Sequence, residues 1–89
     1  MGIINQEKIN DLSQRQDLGF EDALYLLRAN KKVFRSGWKD LRYVALQRPD
    51  ENSKMKRPYL FCVPLDHQPV PFTLSNGDLF AQDWQVFKE

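Results

Sequence analysis

From Phe20 onward the apolar positions keep the period of an α-helix. Phe20, Ala23, Leu24 and Leu27 fall at i, i+3, i+4 and i+7 and share one face. Asp17 stands where an N-cap is expected, Glu21 and Asp22 suit the positive end of the helix dipole, and Arg28 suits the last turn. Asn30 can take the left-handed conformation that ends a helix. The spacing then changes. Val33 to Arg35 reads as a short strand turned by Ser36-Gly37. Leu41 to Gln47 alternates, with Leu41, Tyr43 and Ala45 on one face and Arg42, Val44 and Leu46 on the other. Residues 48–57, with Pro49, Asp50, Asn52 and Ser53, lack apolar periodicity and read as a loop.

Tyr59 to Val63 is almost wholly apolar and predicts a central strand. Asp66 to Pro69 turns the chain, and Pro69 and Pro71 confine the extended piece Val70 to Thr73 to a sheet edge. Ser75-Asn76-Gly77-Asp78 reads as the entry to one helical turn, and Trp84 to Phe87 as a last strand. Residues 1–17 are polar, with Ile9 and Leu12 three apart, and predict an appended arm or short helix that buries little. The expected fold is α+β: one main amphipathic helix followed by a small antiparallel sheet, in a single domain over residues 18–89.

Eighty-nine residues make one domain at the small end of what folds alone, so self-association is expected to complete its core. Met1 to Ile4 is too short for a secretory apolar core, and no run approaches the roughly 20 apolar residues of a membrane span, so a soluble, cytoplasmic protein is expected. Cys62, the single cysteine, sits in the apolar run Leu60 to Val63 and reads as a buried structural thiol. Residues 28–57 hold ten basic against three acidic side chains, net +7, and the remainder carries −6. Such a cluster is either a solvated basic face or a surface for anions or nucleic acid.

Catalytic and metal chemistry find little support. His67 is the single histidine and stands between Asp66 and Gln68 as a turn residue. With one His and one Cys, a zinc site would need mostly carboxylates, which zinc rarely accepts. The nucleophile elbow, the Gly-rich phosphate loop and the Asp-rich calcium loop are missing from the sequence. Asp78 and Asp83, five apart, either form a carboxylate pair or cap a turn and pair with Arg35 or a backbone amide. The reading is a non-enzyme without cofactor or metal.

Two tryptophan motifs remain: Lys31-Lys32-Val33-Phe34-Arg35-Ser36-Gly37-Trp38 and Asp78-Leu79-Phe80-Ala81-Gln82-Asp83-Trp84. Trp38 either fills the core or lines a pocket. In the second case its indole would stack on a base while Arg35 holds a phosphate bidentately. Gly37 lets the chain turn beside it. Ser75, Asn76 and Asp78 offer hydrogen-bonding groups near the second motif.

The ordered set Phe20-Glu21-Asp22-Ala23-Leu24, Lys31-Lys32-Val33-x-Arg35-x-Gly37-Trp38, Pro58-Tyr59-Leu60, Val70-Pro71-Phe72, Ser75-x-x-Asp78 and Ala81-x-Asp83-Trp84 resembles the Thoeris anti-defense 2 family of phages, prophages and bacteria, over residues 19–87. The resemblance implies an oligomer, a tetramer, that sequesters cyclic ADP-ribose-type immune signals at subunit interfaces without cleaving them. Some members also bind cyclic oligonucleotides. On this reading Lys32 and Arg35 are candidates for phosphate, Trp38 and Phe72 for stacking, and Ser75, Asn76 and Asp78 for ribose or base edges. Gly37 completes the candidate site. The partners are then the ligand and further copies of the chain, with neither membrane nor nucleic acid. A small nucleic-acid-binding or protein-interaction module is the alternative. The chain departs from the family's usual Gly at Asn30, Asn-Gly at Lys39-Asp40, Trp at Phe72 and Gln-Thr at Asn76-Gly77.

Overall fold

The core lies between two helices and one face of a five-stranded antiparallel sheet. The computed structural model describes residues 5–52, 54 and 56–88. Met1 to Ile4, Ser53 in the expected loop and Glu89 at the expected domain boundary lie outside the described residues. The helices are α1 (Gln6–Ser13), α2 (Phe20–Arg28) and the single turn α3 (Asn76–Leu79); the strands are β1 (Val33–Arg35), β2 (Leu41–Gln47), β3 (Tyr59–Pro64), β4 (Val70–Pro71) and β5 (Trp84–Val86). The sheet order is β4-β3-β2-β1-β5. The α+β class stands; among the described residues α2 is accompanied by the short helix α1 and the one-turn α3.

The helical period of α2 buries Phe20, Ala23, Leu26 and Leu27, with Leu24 on the flank of that stripe. Its start differs from expectation. Leu18 is still extended, trading backbone hydrogen bonds with Trp84 (3.1 and 3.0 Å). The helix therefore begins only after Gly19, which supplies the cap position without a side-chain bond. Asp17, held two residues too early, pairs with Arg15 instead (3.2 Å). The helix ends as expected, with Asn30 left-handed at φ 66°. Arg48 reaches this end, donating to the Arg28 carbonyl (2.7 Å) and to Asn30 Oδ1 (3.2 Å), a cation at the negative end of the dipole.

The N-terminal segment does more than the sequence promised. Asn5 caps α1 by accepting from the Lys8 amide (3.1 Å), and its own amide donates to the Tyr25 hydroxyl (2.9 Å). Both apolar residues, Ile9 and Leu12, are buried in the main core. They enter it where α1 packs against both β5 and α2.

The expected faces of β2 are also corrected. A bulge between Leu41 and Tyr43 inserts one extra residue opposite β3, where Leu41 faces Pro64 and Tyr43 faces Val63. Leu41 therefore packs on the core with Val44 and Leu46, while Tyr43 turns to the other face. β3 is an interior strand and β4 an edge, as expected. Cys62 is buried beside Val44, and burial pushes its thiol pKa up.

Candidate functional site

The two tryptophan motifs meet. β1 and β5 pair with Arg35 opposite Trp84, which brings the ends of both motifs together across the sheet edge. Ser75 then opens α3 with a reciprocal capping box: its Oγ accepts from the Asp78 amide (3.0 Å), and its own amide donates to Asp78 Oδ2 (3.1 Å). This fixes Asp78, 8% exposed, with its other carboxylate oxygen toward β1.

Arg35 fills that place. Its Nη1 donates to Asp78 Oδ1 and its Nε to Asp83 Oδ1, both at 2.9 Å. Ser36 Oγ donates to the second Asp83 oxygen (3.3 Å). Burial would raise the Asp78 pKa, but the bonds from Ser75 and Arg35 outweigh it and hold the carboxyl below its ordinary value. Asp83 is lowered in the same way: burial opposes, and the Arg35 bond prevails. Bonds to Asp83 and then Asp78 raise the Arg35 guanidinium. One cation between two carboxylates leaves the cluster at −1, so it favours hydroxyl and amine donors over a bare phosphate.

Behind the triad, Trp84 is fully buried, and its indole Nε1 donates to the Asp78 carbonyl (2.9 Å). Trp38 stands against it at 5.3 Å between ring centroids, and Phe72 lies against Trp38 at 5.8 Å with planes at 59°. Trp38 is half-buried: it packs on the core and leaves part of its ring exposed. Leu79 and Phe80, which follow Asp78 in the chain, are 44% and 75% exposed.

Of the eight candidate residues, Arg35, Trp38, Phe72, Ser75 and Asp78 are brought into one cluster. Asn76 and Gly37 lie at its rim, exposed. Gly37 is not in the left-handed region, and a Cβ there would only touch Asp83 Oδ2 at 3.9 Å, so no steric demand selects glycine. Lys32 is elsewhere: it points to the opposite sheet face, its Nζ 4.7 Å from the centre of the Tyr43 ring. Asp83 was missing from the candidates although the Ala81-x-Asp83-Trp84 motif carried it. The sequence reads it only as a turn cap or carboxylate pair that could meet Arg35, and the Arg35 Nε bond places it in the cluster. His67 is a turn residue at φ 65°, with its Nδ1 3.0 Å from Arg42 Nη1. Among the described residues no three metal-ligating side chains converge, and no helix is long and apolar enough to cross a membrane.

This geometry defines a small α+β domain whose polar chemistry is a stapled, hydrogen-bonding cluster beside partly exposed aromatic rings, an arrangement suited to binding. The model of the Thoeris anti-defense 2-like domain matches residues 18–87, and the chain belongs to that family. No curated protein matches it. Membership suggests a role against the Thoeris defence, in a family of binding domains not known for catalysis.

Proposed function

We propose that the protein is a non-enzymatic sponge that sequesters a nucleotide-derived immune signal of the cyclic ADP-ribose type or a cyclic oligonucleotide. It would work in the cytoplasm as a homo-oligomer, a tetramer. The observation that carries this reading is the meeting of Trp38 and Phe72 with the Arg35–Asp78–Asp83 cluster in a member of an anti-defense family. A base would stack on the outward ring surface. Ribose hydroxyls and exocyclic amines would donate to the two carboxylates, with Ser75 and Asn76 at the rim. The exposed pair Leu79 and Phe80 supports a second subunit at this end, which would close the cleft over the ligand.

A base–aromatic stack contributes roughly 1–3 kcal/mol, and charge-assisted hydrogen bonds about 1.5–3 kcal/mol each. Together these reach tight binding without chemistry on the ligand. Calorimetry with cyclic ADP-ribose isomers and cyclic dinucleotides tests the proposal. Binding followed by recovery of intact ligand from denatured complex supports it. No heat with any of them, on folded protein, would sink it.

A further inference from the structure

Few contacts join α1 to the rest of the fold. Ile9 and Leu12 are its buried side chains, 3% and 4% exposed, and they seat it in a slot between α2 and β5. One residue supplies the polar contacts: the Asn5 amide donates to the Tyr25 hydroxyl, and Lys8 Nζ lies 4.3 Å from the centre of the Tyr25 ring. Every other hydrogen bond that residues 5–17 make among the described residues is internal to the segment. Gln6 pairs with Asn10, Ser13 with the Ile9 carbonyl and Arg15 with Asp17, while the Gln14 and Arg15 amides return to Asp11 and Leu12. Backbone bonds to the sheet begin only at Leu18, facing Trp84. The connector Gln14-Arg15-Gln16-Asp17 between them is polar and exposed.

An eight-residue helix does not persist in water by itself, so α1 keeps its shape only while it is seated. Leaving the slot breaks no strand pairing and withdraws two side chains from one flank of the core. That makes α1 a unit of local opening, distinct from the sheet. The vacated slot has one occupant whose fit the structure shows: a helix carrying Asn5, Lys8, Ile9 and Leu12 in that order. A second copy brings the same helix on the same connector. We propose that α1 is a detachable strap that opens while residues 18–88 stay folded, and that two copies exchange it, each seating its α1 in the slot of the other. The exchange restores the contacts of the closed form. It uses no residue of the Arg35–Asp78–Asp83 cluster, and it stands or falls independently of ligand binding.

Hydrogen exchange read by mass spectrometry tests the opening in the full chain. Peptides covering residues 5–13 should exchange at least about tenfold faster than those covering α2 and β3. Sedimentation tests the trade between copies, in a Phe80→Ser parent that lacks the most exposed apolar side chain at the α3 end. Deleting Arg15, Gln16 and Asp17 leaves Gln14 alone before Leu18, which removes the slack for folding back and favours exchange. The shortened chain should sediment as a dimer. Adding Leu12→Asp should return it to a monomer in which α2 and β3 keep their protection, the sign that the variant has folded. The proposal is overturned by residues 5–13 exchanging no faster than α2, or by a shortened chain that stays monomeric. A dimer that Leu12→Asp leaves intact also overturns it, since the contact then lies elsewhere.

Discussion

Trp38 stands edge-on to Trp84, with planes at 81° and centroids 5.3 Å apart. The pair divides the labour of a tryptophan: Trp84 is sealed in the core, and Trp38 uses that sealed ring as a wall. Trp84→Ala is expected to cost about 3–5 kcal/mol, as for other large-to-small changes in a core. Trp84→Phe should cost about 1–3 kcal/mol, because the Asp78 carbonyl then keeps only a long 3.4 Å bond from the Ala81 amide. Trp38→Ala should cost less than Trp84→Ala in stability and more in ligand affinity. Urea titrations of the three variants, with calorimetry on the last, check the ranking.

Acid should loosen the α3 end. Both Asp78 and Asp83 are held below the ordinary 3.8 of a free aspartate. Their contribution is therefore complete above about pH 4 and is lost as pH falls through the depressed folded values. Asp83→Asn should flatten the pH dependence in that acid window while leaving the neutral region parallel to wild type. Denaturation midpoints measured at steps from pH 6 to 2 read the slope, roughly following the linkage relation; an unchanged slope in the variant excludes Asp83 from the acid response.

The α1 helix precedes the family match yet lends two side chains to the core. Leu12→Ala and Ile9→Ala should each destabilise by about 2–5 kcal/mol, the usual range for emptying a buried aliphatic site. A shift of the urea midpoint without a change in m checks this. Effects within error would mean that α1 docks too weakly to belong to the core.

Burial raises the Cys62 pKa and hides its sulfur. Thiol-specific labelling at pH 8 should be at least about a hundredfold slower in the native protein than in urea, since the group must wait for opening. Rapid native labelling would show β3 opening locally.

The elements themselves were legible wherever local chemistry decided them. The periodicity of α2, the αL position at Asn30, the Ser75–Asp78 turn and the proline-marked edge are local signals, and each is present in the fold. Long-range pairing decided the rest. Asp17 lost its cap role because Leu18 pairs with Trp84, sixty-six positions later in the numbering. The bulge at Arg42 reverses the facing of Leu41 relative to plain alternation, and only the pairing with β3 reveals it. Pairing of Asp78 and Asp83 with Arg35 was legible as one alternative; that one guanidinium bridges both at once, across 43 and 48 residues, was decided only by the β1–β5 pairing. Lys32 and Arg35 read as one phosphate-binding pair, whereas strand alternation sends them to opposite sides of the sheet.

The strand order gives the chain a direction of assembly. β1 has β2 on one side and β5, the last strand, on the other. A nascent polypeptide that has emerged only as far as β4 can form the β2–β3 hairpin and α2. It then lacks the ring of Trp84 under α2, and Arg35 has neither carboxylate. Residues at the ribosome exit therefore hold the final closing step, and cooperative folding waits for synthesis to pass Val86. A stop codon just upstream of Asp83 should yield an aggregation-prone fragment with an open strand edge, cleared by proteases rather than accumulating as a shortened domain.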